Sequence, residues 1–254
     1  MERHFGGYPH RGLYGRLRLG AKHVVQRLLA SLARRNIYLA AGPNHASNRV
    51  DLSRMELSLW SQTVDFVRFS TLELLAREIE MGKVDGAVAE LGVFQGYSAA
   101  VLARRFPTRD LFLFDTFRGF DDRDLAAEES LGIKTSNRVR FEETSLEFVL
   151  SLMPDGARVH PVVGWFPEST QTLPDSLQFC LVSLDADLYD PMHAGLDWFY
   201  QRLSPGGYML VHDVNNSDHP GARRAVEDFG RTQGIGFVPI PDTGGTAVIS
   251  KPAG

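Results

Sequence analysis

The stretch AVAELGVFQGYS at residues 87–98 constrains the fold more than any other part of the chain. It begins as a short apolar run that reaches Glu90, places Gly92 and Gly96 on either side of three residues, and becomes small and helix-compatible from Ser98. This order is typical of a buried strand that enters a tight glycine turn and then a helix. Glycines let a ligand lie against the backbone, and a helix start offers unpaired N–H groups. We therefore predict a ligand-binding turn between a strand and a helix.

A second apolar run, LFLFD at residues 111–115, also ends in an acidic residue, Asp115. In doubly wound α/β folds the acid at the tip of the second strand binds ribose hydroxyls. The acid at the end of the first strand, Glu90, is suited to bind a hydroxyl or an amine of the same ligand. The pair predicts a nucleoside-containing cofactor at the carboxyl edge of a parallel sheet, and we include Ser98 in that site.

Strand and helix patterns alternate along the rest of the chain and end in two short strands joined by the hairpin turn Pro241-Asp242-Thr243-Gly244-Gly245. An NAD-binding Rossmann domain would continue with parallel units and would carry G-x-G-x-x-G after its first strand. An alternating series that ends in an antiparallel hairpin is instead the architecture of S-adenosylmethionine-dependent methyltransferases. The predicted fold is α/β, a Rossmann-like seven-stranded class I methyltransferase sheet with a C-terminal antiparallel hairpin and a helical N-terminal extension. The predicted strands cover 86–91, 111–115, 158–163, 179–184, 208–211, 236–240 and 246–250, and the predicted helices cover 57–82, 98–105, 145–152, 192–203 and 221–232.

The composition agrees with one globular domain that follows an extension. Of 254 residues, 43% are hydrophobic and 23% are charged, as in ordinary globular proteins. The single cysteine, Cys180, excludes an intramolecular disulfide and a cysteine-based zinc site. Because no apolar run reaches the length of a membrane span and the N-terminus lacks a signal-peptide core, we expect a cytoplasmic protein. We divide the chain into an extension and cap at 1–56 and a methyltransferase domain at 57–254.

The extension is basic, whereas the body is acidic. Residues 1–36 carry eight Lys and Arg against one Glu, and the remaining chain carries 19 basic and 30 acidic residues. Apolar residues between positions 13 and 32 fall at helical spacing, and a basic amphipathic helix can bind a membrane surface or nucleic acid. We favour a helix that docks on the domain or on a second copy of the chain, so we expect a homo-oligomer. Contact with a membrane surface is the less favoured alternative, and the absence of a nucleic-acid motif excludes nucleic acid as the expected partner.

Two further predicted strands end in carboxylates, Asp185 and Asp213. Adjacent parallel strands place their tips side by side, so both acids are expected to converge beside the cofactor, and we include Asp185 among the cofactor-binding residues. Oxygen-rich sites of this kind suit Mg²⁺. The candidates to complete the metal site are Asp187, His212 and Asn215.

These charges predict a mechanism. Methyl transfer from a sulfonium to an oxygen needs an acceptor hydroxyl that has lost its proton. A metal lowers the pKa of that hydroxyl, and a nearby base takes the proton. His212 is a candidate base because its unperturbed pKa is near neutral. Asp185 is a candidate that combines metal binding with proton acceptance, and His212 as a structural residue or a ligand stays open as the alternative.

The chain resembles the macrocin O-methyltransferase family, which comprises metal-dependent sugar O-methyltransferases of macrolide and other natural-product pathways. The resemblance covers about residues 57–251, and it implies that Asp185 and Asp213 are metal positions, as in catechol O-methyltransferases. It also implies that Trp165 borders the adenine and that four residues are cofactor positions, Glu90, Gly92, Gly96 and Asp115. The motifs that carry it read AELGVFQGYSA, DTFRGF, VVGWFPEST, LVSLDADLYDP, LSPGGYMLVHDV and GARRAVEDF.

The chain departs from these families at three positions. His212 stands where the family usually has a second acid, so His212 either replaces a ligand or serves a base-driven reaction without metal. Val214 and Leu188 stand where catechol enzymes have an amide and a catalytic lysine. A catechol substrate is therefore less favoured, and residues 1–56 match the family poorly.

The leading functional prediction is an S-adenosylmethionine-dependent, Mg²⁺-dependent O-methyltransferase that acts on a hydroxyl of a natural-product sugar or a related small molecule. The alternative within enzymes is a phenol or catechol-type O-methyltransferase. The alternative outside enzymes is a non-catalytic partner protein that retains the fold. The presence of Glu90, Asp115, Asp185 and Asp213 together disfavours the last.

Overall fold

A seven-stranded sheet forms the centre of the part of the chain that the structure describes. The computed structural model describes residues 66–133 and 141–253. The predicted extension 1–56, its basic helix and the domain boundary lie outside the described residues.

The described chain alternates strands and helices. The strands are β1 (Ala87–Leu91), β2 (Asp110–Asp115), β3 (Arg158–Val163), β4 (Phe179–Leu184), β5 (Leu203–Val211), β6 (Val238–Ile240) and β7 (Thr246–Ser250). The helices are α1 (Phe66–Met81), α2 (Tyr97–Arg105), α3 (Asp122–Ser130), α4 (Leu146–Ser151), α5 (Tyr189–Arg202) and α6 (Pro220–Gln233), with a 3₁₀ turn at Glu168–Thr172.

The strand order β3-β2-β1-β4-β5-β7-β6 confirms the predicted α/β sheet and its C-terminal hairpin. The strands β1 to β5 pair in parallel, whereas β7 pairs antiparallel with both β5 and β6. All five residues of β1 are buried, as expected for a central strand with helices on both faces. The carboxyl ends of β2, β1, β4 and β5 therefore lie side by side at one edge.

Successive strand residues divide the core between the two faces of the sheet, because side chains alternate along a strand. Val88 and Leu113 pack on the face covered by α1 and α2, and Ala89 and Phe114 pack on the face covered by α5 and α6. Cys180 is fully buried in the first of these clusters, and burial raises the pKa of its thiol to about 11. The cysteine is thus a packing residue.

Two differences from the sequence-based prediction concern β5 and α3. We predicted that the fifth strand begins at residue 208, but β5 begins at Leu203, directly after α5, because Gly206 N–H donates to the Lys251 carbonyl and Lys251 N–H donates to the Gly207 carbonyl. The helix α3 was not predicted, and its start is capped by Asp121, whose side chain accepts from Arg123 N–H at 3.0 Å. The acids of this segment thus begin a helix beside the sheet edge.

Within residues 66–133 and 141–253, every helix is too short or too polar to cross a membrane.

An aromatic cluster provides a test of the core. Phe199 is fully buried, with ring centroids 5.2 Å from Phe114 and 5.7 Å from Phe166. Removal of a fully buried aromatic ring costs about 3–5 kcal/mol, so Phe199→Ala is expected to lower the free energy of unfolding by that amount in urea titrations. The control Phe148→Ala removes a ring that is 42% exposed and is expected to cost about 0.5 kcal/mol. Equal costs for the two variants would contradict this packing.

Candidate active site

A cleft of about 330 Å³ opens at the carboxyl edge of the sheet, where open α/β sheets bind their ligands. It is lined by side chains that follow β1, β2, β4 and β5, together with residues of α1 and α3. The lining residues are Arg68, 91–97, 114–116, 119–121, Asp124, Phe141, 164–166, 185–187, Pro191, His212 and Asp213.

The two glycines of the predicted turn both line the cleft, and each has a steric reason. Gly92 has φ +82°, and a Cβ there would lie 2.1 Å from the backbone oxygen of Asp185. Gly96 has φ +77°, and a Cβ there would lie 2.8 Å from a methyl group of Val149. Glycine is therefore required by the backbone conformation and by close packing at both positions.

Asp115 holds the turn in place from the end of β2. Its Oδ2 accepts from Val93 N–H at 2.6 Å and from Phe94 N–H at 3.0 Å, and its Oδ1 accepts from Phe117 N–H at 2.6 Å. The carboxylate also lines the cleft, at the position predicted for a ribose-binding acid. Asp115 thus connects the first two strand tips before any ligand is bound.

Glu90 lies beneath the turn and is not among the residues that line the cleft. It is 1% exposed, and burial raises the pKa of its carboxyl group to about 8, although a hydrogen bond with Ser98 and the charge of Arg68 oppose the shift. Its Oε2 atom is buried and has no hydrogen-bond partner among the described residues. The structure therefore places Glu90 against Ser98 and keeps both out of the cleft lining.

Trp165 lines the cleft and contacts two residues of α3. Its indole Nε1 donates to Asp124 Oδ1 at 2.9 Å, and the Arg123 guanidinium lies over its ring at 4.0 Å from the centroid. Burial raises the pKa of Asp124 to about 6, against the effect of the indole hydrogen bond. Asp124 was not predicted as a site residue, because the run DDRD has the composition of an exposed acidic turn.

Three predicted site residues, Asp185, His212 and Asp213, converge at the ends of β4 and β5. One ligand atom from each lies within 4.8 Å of the other two. His212 Nδ1 is 3.0 Å from Asp185 Oδ1 and 3.2 Å from Asp213 Oδ2. Both carboxylate oxygens are within ion-pair distance of Nδ1. The angles do not suit a hydrogen bond, so this buried nitrogen has no hydrogen-bond partner among the described residues.

Arg68 on α1 faces this cluster and was also missed, because no motif marks it in the sequence. Its Nη2 donates to Asp185 Oδ2 at 2.9 Å. Burial alone would raise the pKa of Asp185, but the charges of Arg68 and His212 hold it well below its ordinary value. Burial alone would lower the pKa of His212, but the carboxylates of Asp185 and Asp213 raise it to about 10.

The other two candidate ligands, Asp187 and Asn215, differ in position. Asp187 lines the cleft, and burial together with the neighbouring charge of Asp185 raises its pKa well above the ordinary value, while it shares a hydrogen bond with Asp213. Asn215 is not a lining residue, and its side-chain oxygen accepts from Arg223 at 3.0 Å. The structure therefore keeps Asp187 next to the cluster and turns Asn215 away from it.

Left-handed backbone occurs at two of these acids, Asp187 with φ 61° and Asp213 with φ 59°. Such conformations cost about 1–3 kcal/mol in non-glycine residues and concentrate at functional sites. Asp187 and Asp213 both line the cleft.

The donor set of Asp185, His212 and Asp213 fits a divalent cation. Carboxylates and imidazoles are common metal ligands. Here one ligand atom from each of the three side chains lies within 4.8 Å of the other two, and the imidazole Nδ1 has no hydrogen-bond partner among the described residues. The cluster opens into the same cleft as the glycine turn. A cofactor and an acceptor held by these two parts would meet in one cavity.

The comparison with protein families decides the identity. Residues 21–249 match the model of the macrocin-O-methyltransferase (TylF) family. The chain belongs to this family. The match begins before residue 57, so it extends further toward the N-terminus than the resemblance that we described for residues 57–251.

Named relatives agree with this assignment, and a solved structure has the same fold. The chain is 28% identical over 243 residues to 8-demethyl-8-(2,3-dimethoxy-alpha-L-rhamnosyl)-tetracenomycin-C 4'-O-methyltransferase from Streptomyces olivaceus, covering 90% of this chain and 89% of the relative. It is 31% identical over 169 residues to mycinamicin III 3''-O-methyltransferase from Micromonospora griseorubida, covering 60% and 63% of the two chains. The structure of the O-methyltransferase NovP superposes with a TM-score of 0.57 at 20% identity, covering 73% of this chain and 80% of that one.

This macrocin-O-methyltransferase family member is therefore an O-methyltransferase with the fold of S-adenosylmethionine-dependent enzymes. The predicted family, the predicted fold and the predicted enzyme class are confirmed. The roles of the individual site residues remain predictions.

Glu90 provides a test of the electrostatics beneath the cleft. The pKa of its carboxyl group rises from an ordinary 4.5 to about 8 on folding, so the folded state holds its proton more tightly than the unfolded state. The stability that this proton provides is complete below pH 4.5 and is lost as the pH rises through 8. Glu90→Gln removes this titration. The melting temperature of the cofactor-free variant, minus that of the cofactor-free wild type, is therefore expected to increase from pH 5 to pH 8.

Thermal melts followed by circular dichroism over that pH range measure the difference. Glu147→Gln, which replaces an exposed glutamate at the start of α4, is the matched control. A Glu90→Gln difference that is constant with pH would show that Glu90 is already ionised in the folded protein.

Proposed function

We propose that this chain is an S-adenosylmethionine-dependent O-methyltransferase that methylates a hydroxyl group of a natural-product sugar or a related small molecule. The observation that carries the proposal is the position of the Asp185, His212 and Asp213 cluster, which opens into the same cleft as the glycine turn after β1. Such a cleft can bring a methyl donor and a hydroxyl acceptor into contact.

The cofactor side of the cleft is the turn between β1 and α2 with Asp115 and Trp165. S-Adenosylmethionine would supply an activated methyl group on a sulfonium. Asp115 is positioned for the ribose hydroxyls, and the ring of Trp165 with the Asp124 carboxyl group is positioned for the adenine. Glu90 and Ser98 support the turn from below, so we assign them to holding the site rather than to direct contact.

Asp185 is the better candidate for the proton acceptor. Its carboxylate is held ionised by Arg68, whereas His212 with a pKa of about 10 already carries a proton at neutral pH in the metal-free protein. A protonated imidazole cannot accept a second proton, so the prediction that His212 acts as the base is less well supported. We assign His212 and Asp213 to holding a divalent cation with Asp185.

The resemblance implies Mg²⁺ as this cation, and a bound cation would lower the pKa of an acceptor hydroxyl. The three side chains would hold it at the ends of β4 and β5. The carboxylates of Asp185 and Asp213 supply the negative charge that such a cation requires.

The acceptor is proposed from the relatives and from the cleft wall. Relatives of this chain are named as methyltransferases of a rhamnosyl-tetracenomycin and of mycinamicin III. An aromatic wall faces the cleft, in which Phe141 lies edge-on to Phe94 and to Phe120 at 5.1 Å each. Such a wall suits a bulky, partly apolar small molecule.

The catechol alternative gains no support from the site. Leu188 and Val214 are fully or almost fully buried at 0% and 2% exposure, so neither position presents a polar group to a substrate. Homo-oligomerisation and a cytoplasmic location stay predictions.

Calorimetry with S-adenosylhomocysteine tests the cofactor assignment. The wild type is expected to bind it with a dissociation constant in the micromolar range, and Asp115→Ala is expected to weaken binding at least about tenfold because the turn loses three hydrogen bonds. The control Asp110→Ala removes an exposed carboxylate at the other end of the same strand. Absence of binding to the wild type at high micromolar ligand would refute the proposal.

Activity on glycosylated natural products tests the role of Asp185. With an acceptor found in a panel of such compounds, Asp185→Asn is expected to lower kcat by about 10²–10⁴-fold and to retain S-adenosylhomocysteine binding, because a proton acceptor contributes about that factor. Asp197→Asn, on the exposed side of α5, is the control. A phenolic compound as the preferred acceptor would overturn the sugar assignment and leave the methyltransferase assignment standing.

A further inference from the structure

The cation cluster contains an imidazole between two carboxylates. His212 Nδ1 lies 3.0 Å from Asp185 Oδ1 and 3.2 Å from Asp213 Oδ2, and it is buried without a hydrogen-bond partner among the described residues. The backbone fixes the position of the residue, since His212 N–H donates to the Leu184 carbonyl at 2.8 Å. The nitrogen therefore stands where the two carboxylates converge.

Each of the three ligand side chains is also oriented by a second contact on its other side. Asp185 Oδ2 accepts from Arg68 at 2.9 Å, and Asp213 Oδ1 accepts from Asn216 Nδ2 at 2.9 Å. In both carboxylates the remaining oxygen faces His212. Side chains that ligate metals are characteristically held in this way by outer partners.

The outer partner of His212 is Asp242, in the hairpin turn before β7. The side chain of Asp242 is fully buried, and its Oδ2 lies 3.9 Å from His212 Nε2 while it accepts from Thr246 Oγ1 at 2.6 Å. Its Oδ1 is buried and has no hydrogen-bond partner among the described residues. At 3.9 Å this carboxylate is too far from Nε2 for a hydrogen bond, but its negative charge favours a proton on Nε2, which leaves Nδ1 to bind a metal.

Donor chemistry then separates the candidate cations. Mg²⁺ prefers oxygen ligands and gives up its water reluctantly, whereas imidazole suits first-row transition metals. We propose that the cluster binds a first-row transition metal, such as Mn²⁺ or Co²⁺, in preference to Mg²⁺, and that His212 sets this preference. The inference rests on the proposed cation site and departs from the Mg²⁺ that the resemblance implies.

Competitive metal binding tests the preference. Full-length protein stripped with a chelator is dialysed against Mn²⁺ and Mg²⁺ together, and the bound metals are measured by elemental analysis. The wild type is expected to bind Mn²⁺ at least about tenfold more tightly than Mg²⁺, and His212→Asp, which makes an all-carboxylate site, is expected to lower that ratio about tenfold or more. His193→Asp, on α5 away from the cluster, is the matched control.

Pulsed electron paramagnetic resonance of the Mn²⁺-loaded protein supplies a direct signature. Modulation from an imidazole ¹⁴N nucleus is expected in the wild type and in His193→Asp, and it is expected to disappear in His212→Asp. Asp242→Asn is expected to keep the signal and to weaken Mn²⁺ binding about 10–100-fold. Absence of the ¹⁴N signal in the wild type, or equal binding of the two metals, overturns the inference even if a variant fails to fold.

S-Adenosylhomocysteine binding, measured on the same samples, separates this inference from the proposed function. A wild type that binds S-adenosylhomocysteine but shows no preference for Mn²⁺ disproves the metal inference and leaves the methyltransferase proposal in place. A wild type that binds neither S-adenosylhomocysteine nor Mn²⁺ disproves both the metal inference and the methyltransferase proposal.

Discussion

The site depends on a ladder of backbone hydrogen bonds that continues past the ends of the central strands. Gly92 N–H donates to the Phe114 carbonyl, Asp185 N–H to the Leu91 carbonyl and His212 N–H to the Leu184 carbonyl, at 2.8–3.0 Å. Because each bond ties the first residue after one strand to the last residues of its neighbour, the tips of β2, β1, β4 and β5 are held in register. A cofactor turn and a polar cluster that are distant in sequence therefore share one cleft.

The close approach of these strand tips concentrates ionisable groups, and burial decides which of them carry charge. Glu90 and Asp187 have raised pKa values because burial disfavours their ionised forms. Asp185 stays ionised because Arg68 and His212 lie against it. Buried charges are costly unless they are paired, so this arrangement is explained by function rather than by stability.

The residues that follow the strands could be predicted from the sequence, because strand tips are recognisable from apolar runs that end in a polar residue. Asp115, Asp185, His212 and Asp213 all line the predicted cleft, and the strand order agrees with the predicted fold. Residues that reach the site from elsewhere were missed. Arg68 projects from a helix that no motif marks, whereas Asp124 and Asp242 stand in an acidic segment and a hairpin turn whose compositions are typical of an exposed surface.

The sequence by itself determined the strand–helix order and the glycine turn, because hydrophobic periodicity and turn chemistry are local properties, and its motifs determined the enzyme class through their resemblance to a known family. Only the tertiary structure decided that Glu90 lies beneath the cleft, that Asn215 turns away from the cluster, and that His212 stands between two carboxylates with Asp242 behind it. These features depend on distances between residues on different strands and turns. The charge and the ligand preference of a side chain follow from such distances, and no local pattern encodes them.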